Sequence, residues 1–123
     1  KYDSEYHYLF SIIKKGSDSE GKELEYYYHF PNIARRLLES FLAFKRPQQS
    51  NNLKKALNTI SFDTVKKTKI IRFLHANSHN DFISEPEHDH SILAETPAVL
   101  NDLLDLIKTV DQDHYKEMLK CVA

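Results

Sequence analysis

Apolar side chains recur every three or four residues along most of this chain, a spacing that places them on one side of an α-helix. The clearest case runs from Pro31 to Arg46. Ile33, Leu37, Phe41 and Phe44 share a stripe with Ala34, Leu38 and Leu42, while Asn32, Arg35, Arg36, Glu39 and Arg46 lie opposite. Pro31 suits a first helical turn, where its missing N–H has no partner to lose. The same reading predicts a helix over Tyr2 to Lys15, with Tyr6, Leu9, Phe10 and Ile13 inward, and a short one over Asn52 to Ile60. A fourth runs from Thr64, capped by Asp63, to about Ser78. Thr96 and Pro97 read as the cap and first turn of a helix reaching Thr109, and Asp111 caps a last one carrying Tyr115, Met118, Leu119 and Val122. Gly16 to Gly21 reads as an exposed loop, and Asn80 to Glu95 as the least regular stretch. Tyr26 to Tyr28 fit either a short strand or an extended lead-in to Pro31. The fold class expected is all-α: one domain, residues 1–123, with five or six helices.

Composition narrows the class. At 123 residues, 41% hydrophobic and 28% charged, the chain is the size of one ordinary soluble domain. No apolar run approaches the ~20 residues of a membrane span, and Lys1 to Phe10 lacks the apolar centre of a secretory signal. One cysteine, Cys121, excludes an internal disulfide and a cysteine-based zinc site, and suits a reducing cytoplasm. The opening without Met, in what reads as mid-helix, fits a piece of a longer protein. The net charge of −1 conceals a division: residues 1–80 hold 14 basic and 8 acidic side chains, residues 81–123 hold 3 and 10. Such a basic part suits a polyanion or simply a solvated helix face.

Candidate chemistry lies on two of the predicted helices. Arg35 and Glu39, four residues apart, stand one above the other. Continuing the helix from Thr64 at 100° per residue places Arg72, His75, Ala76 and His79 on one side. If the two polar stripes face each other they make an Arg, Glu, His cluster. Metal-free RNA cleavage needs such a set: a base for the 2′-OH, an acid for the leaving 5′-oxygen, and a cation for the phosphorane. Histidine serves the first two near neutral pH, and the arginine fork suits phosphate. The competing readings are a plain Arg35–Glu39 surface pair and histidines that merely favour a helix end. A metal reading joins His75 and His79 to Asp81, His88, Asp89 and His90, without an HExxH pattern. No Walker A loop exists, so the chain alone is not expected to hydrolyse nucleotide.

The strings PNIARRLLESFLAFKRP and KIIRFLHANSHND, with a late Asp111, Asp113, His114, Tyr115, resemble the C-terminal region of PrrC- and RloC-type ABC ATPases over about Tyr6 to Met118. That resemblance implies an anticodon nuclease of the HEPN class, an all-α RNase that cuts tRNA without metal in antiphage defence. It implies a triad of Arg35, Glu39 and a histidine, His79 before His75, with Arg72 and His79 matching the spaced Arg–His pair of that class. Phe73 stands where a polar residue usually follows the Arg. Asn32, Arg36 and Asn77 flank these positions as candidate substrate contacts. No cofactor is expected in this domain, ATP or GTP with Mg2+ belonging to an attached ATPase domain of the same chain. A homodimer is further implied. The second reading is a non-catalytic dimerisation or effector-binding module of such an ATPase, and the third a DNA-processing or metal-dependent nuclease.

Overall fold

The structure is a computed structural model that describes residues 4–18, 29–49, 52–75 and 95–122. Six α-helices and a 3-10 turn make up its regular structure, with no strand among the described residues: α1 Glu5–Ser17, α2 Phe30–Lys45, the 3-10 turn Pro47–Gln49, α3 Leu53–Asn58, α4 Thr64–Leu74, α5 Thr96–Val110 and α6 Gln112–Val122. The expected all-α bundle is therefore present.

The boundaries follow local chemistry. Ser4 opens α1 by accepting from the His7 N–H. Asn52 accepts from the Lys55 N–H at α3, and Asp63 from the Lys66 N–H at α4. Asp111 accepts from the His114 N–H at the start of α6. Each side-chain oxygen satisfies one of the orphan donors of a first turn. Thr96 departs from expectation. The Val99 N–H already bonds to the Glu95 carbonyl, so Glu95 takes the cap position and Thr96 enters the helix. Its side chain is fully buried, and its hydroxyl has no partner among the described residues.

α1 lies between α2 and α5 and also meets α6, while α4 packs on α5 and α2 and α3 packs on α2. Leu9, Phe10 and Ile13 of α1 enter a core shared with Leu37, Leu38 and Phe41 of α2, Phe73 of α4, and Leu100, Leu103 and Leu104 of α5. Gly16 and Ser17, expected in an exposed loop, instead form the buried last turn of α1. A methyl group on Gly16 would stand 2.6 Å from a Leu100 methyl and 2.7 Å from the Phe30 ring. Glycine is needed there for close helix approach.

Two further expectations are corrected. Phe44 lies in the last turn of α2, at the edge of the apolar stripe, where no helix among the described residues covers it; it is 87% exposed. Cys121, which reads from its type and place as a small hydrophobe near a terminus, is likewise exposed. The tyrosines at 26–28 lie outside the described residues.

Candidate functional site

The two helices chosen from sequence do meet. The Arg35 guanidinium donates from Nη1 to the Leu74 carbonyl at 3.0 Å, and from Nη2 to Asn32 Oδ1 at 3.0 Å. Leu74 is the last residue of α4, and His75 is its C-cap. The His75 N–H bonds back to the Arg72 carbonyl, three residues earlier, which tightens and ends the helix. Arg35 thus places a cation on the negative end of α4, a favourable arrangement. It also sets the Arg-x3-Glu face of α2 beside the histidine-bearing end of α4.

The remaining residues are arranged less closely around that point. Glu39 is exposed, one turn along α2, and makes no hydrogen bond or ion pair among the described residues. Arg36 is exposed and pairs with Glu5 of α1. Arg72 is directed to Glu95 at the start of α5, 3.3 Å away. His75 is exposed. The α4 helix ends at Leu74, four residues short of the expected Ser78, with His75 as its C-cap. His79 and Asn77 lie outside the described residues, as do Asp81, His88, Asp89 and His90 of the metal reading. Among the described residues no group of three potential metal-binding side chains forms.

A second cluster was missed from sequence. Tyr6 of α1 and His114 of α6 are hydrogen bonded, Tyr6 Oη to His114 Nε2, at 2.8 Å. The His114 ring stacks on Phe41 of α2, centroids 5.6 Å apart and planes 24° from parallel. Burial pushes the Tyr6 hydroxyl above its ordinary pKa, helped by the Asp111 carboxylate. Burial also lowers the His114 imidazole; Asp111 opposes that, while Lys45 and His7 reinforce it. Both groups are therefore neutral near pH 7, and they share one hydrogen bond. Asp111 itself is held below the usual carboxylate range by its hydrogen bond from Lys45 and then by the His114 N–H.

Tyr6, Ser40, Phe41, Phe44, Lys45 and His114 line a cavity of about 360 Å3. Pairs of this kind, 108 positions apart, leave no spacing signal. The one available hint was the late Asp111, Asp113, His114, Tyr115 string, which carried the resemblance without a role.

Besides Arg72–Glu95, three ion pairs among the described residues join the basic and acidic parts of the chain. Lys45 pairs with Asp111, and Lys66 reaches Asp105 at 3.2 Å and Asp102 at 3.9 Å. The hydrogen bond to Asp105 is the main cause raising the Lys66 pKa. Part of the charge division is thus neutralised internally.

No helix among the described residues is long and apolar enough to cross a membrane. A family model described as an AAA domain matches residues 1–105, a span that holds α1 to α4 and most of α5. No curated protein and no solved structure matches the chain.

Proposed function

The chain belongs to the AAA domain family, and from that premise we propose that it is a metal-independent endoribonuclease domain carried by an ATPase. In this reading it is a tRNA anticodon nuclease of the PrrC and RloC kind, acting in cytoplasmic antiphage defence as a homodimer. The observation that carries it is the bond from Arg35 to the last carbonyl of α4, next to His75. It joins an Arg-x3-Glu helix to the histidine-bearing end of another.

The roles follow from what each side chain has left to offer. Arg35 uses two N–H donors on Leu74 and Asn32. A guanidinium has five, so the others remain for a phosphate oxygen. Glu39, exposed and unengaged among the described residues, accepts the 2′-OH proton or orients a histidine. His79, or His75, protonates the leaving 5′-oxygen. The 2′-oxygen attacks phosphorus, the P–O5′ bond breaks, and the products carry a 2′,3′-cyclic phosphate and a 5′-OH. Asn32, Arg36 and Asn77 contact the strand, and Arg72 reinforces the positive edge.

The residues present do not fit the triphosphate of an ATPase. The chain has two glycines and no glycine-rich loop, and Gly16 is packed inside α1. In this reading ATP or GTP and Mg2+ are taken up by an attached ATPase domain.

The test is incubation of the chain with total tRNA in EDTA, with mapping of new ends. Cleavage in anticodon loops is expected, reduced about 100-fold or more by Glu39→Ala. His75→Ala and His79→Ala identify the histidine by which of them abolishes cutting. Absence of new ends, or full cleavage by Glu39→Ala, overturns the reading.

A second reading has its own observation. Arg35, Arg36 and Arg72 are each engaged by protein groups. That suits a non-catalytic module for dimerisation or for holding an effector. Arg35→Ala that destabilises the bundle, in a chain that never cuts RNA, would support it.

A further inference from the structure

The lined cavity beside Tyr6 and His114 lies on a different side of α2 from Arg35 and Glu39. At 100° per residue, Ser40, Phe41, Phe44 and Lys45 centre roughly opposite those two. Its walls come from α1, α2 and α6, and α6 lies beyond the segment matched by the family model. The cavity therefore calls for an explanation of its own, independent of RNA cleavage.

We propose that this cavity binds the base of a nucleoside 5′-monophosphate unit, with the phosphate on the adjoining Arg46. Three observations carry it. First, the walls are aromatic: Phe41 and His114 are stacked on one another, and Phe44 stands at the cavity with 87% of its surface exposed. An exposed phenylalanine on a cavity rim presents a flat apolar face on which a base stacks, whatever its identity. Second, hydrogen-bonding groups line the same space. The Ser40 hydroxyl and the second ring nitrogen of His114 make no hydrogen bond among the described residues, and both residues line the cavity. A base edge supplies the donors and acceptors that such groups take up.

Third, a second cavity of about 390 Å3 adjoins the first through Lys45, and is lined further by Arg46, Pro47, Gln48 and Thr59. Arg46 is held in place there. Its Nε donates to Thr59 Oγ1 at 3.1 Å and its Nη1 to the Lys45 carbonyl at 2.9 Å. It forms no ion pair with a carboxylate among the described residues, in contrast to Lys45, which is paired with Asp111. A positioned guanidinium with spare donors and no counter-charge suits a phosphate. The two recesses share Lys45 as a wall, and between them they offer an aromatic face for a base and a fixed cation for a phosphate. The ligand is either a free nucleotide or one residue of an RNA strand; both have the same recognition chemistry.

The measurement is titration of the chain with AMP, GMP, CMP and UMP by calorimetry. Adenosine, guanosine and inorganic phosphate serve as half-ligands, and a six-residue oligoribonucleotide as the strand form. At least one monophosphate is expected to bind saturably, with its nucleoside and phosphate each about tenfold weaker or more. Phe44→Ala and Arg46→Gln should each weaken it about tenfold. Phe44 is too exposed for its loss to unsettle the core, and an unchanged thermal midpoint checks this. Tighter binding of the oligonucleotide than of every monophosphate assigns the cavity to a strand; the reverse assigns it to a free nucleotide. No saturable binding of any monophosphate or oligonucleotide at millimolar concentration overturns the proposal. So does binding that both variants leave intact. Neither result bears on whether Glu39 cuts RNA.

Discussion

Gly16 shows how far one residue's surroundings outweigh its propensity. In an ordinary exposed helix, replacing glycine with alanine is worth about 1 kcal/mol in favour of the helix. Here the added methyl would press on Leu100 and Phe30 at well under contact distance. Overpacking of this kind costs about 1–3 kcal/mol. Set against the gain in helix propensity, Gly16→Ala is therefore expected to destabilise the chain by up to about 2 kcal/mol, read as a lower urea midpoint at unchanged slope. His114 supplies the pH dependence. Its pKa in the folded chain lies below the ordinary 6.5, so the unfolded chain binds the extra proton first. Stability is then complete above about 6.5 and falls as pH drops from there toward the folded value. The groups facing it are Tyr6, Asp111, Lys45 and His7. Thermal midpoints should decline from pH 7.5 to pH 5.5, and His114→Gln should flatten that decline. An equally steep decline in the variant would mean that another group is responsible.

Element boundaries were legible where the governing interaction is local. Asp63 and Asp111 cap the helices expected of them, because each acts on an N–H three residues ahead. Asp63→Ala should cost about 1 kcal/mol by removing the oxygen from the Lys66 N–H, measured by denaturant unfolding. Boundaries set by tertiary partners were not legible. The C-terminus of α4 is drawn in by a hydrogen bond from His75 and by Arg35, which lies 39 positions earlier than Leu74. Nothing in the string from Lys69 to His79 announces that. Thr96 has the composition of a cap, yet the helix begins around it and its hydroxyl is buried. The periodic faces of α2 and α5 were read correctly in their centres, since Leu37, Leu38, Leu100 and Leu103 are all buried. They were misread at the edge, at Phe44, where exposure depends on whether another helix arrives.

At the level of the whole molecule, the sequence showed an all-α domain and a division of charge, but not what the division does. Lys45, Lys66 and Arg72 each reach an acidic residue of the later part. These are surface pairs, screened by salt and individually weak, so their effect is mainly to lower the positive potential of the early part. The candidate site was legible in the same partial way. Arg35 and Glu39 share a helix face because four-residue spacing guarantees it, and α2 does meet the end of α4. The Tyr6–His114 pair joins the first helix to the last and has no signature in either segment.

The placement of α1 between α2 and α5 has a consequence for how the chain acquires its structure. Helix bundles usually assemble quickly because neighbours in sequence are neighbours in space. In this chain the earliest helix is completed by one that begins some eighty positions later, with Gly16 seated against Leu100. Closing so long a span carries an entropic cost before any core contact repays it. Docking of α5 on α1 is therefore expected to follow the contacts between helices that are neighbours in sequence.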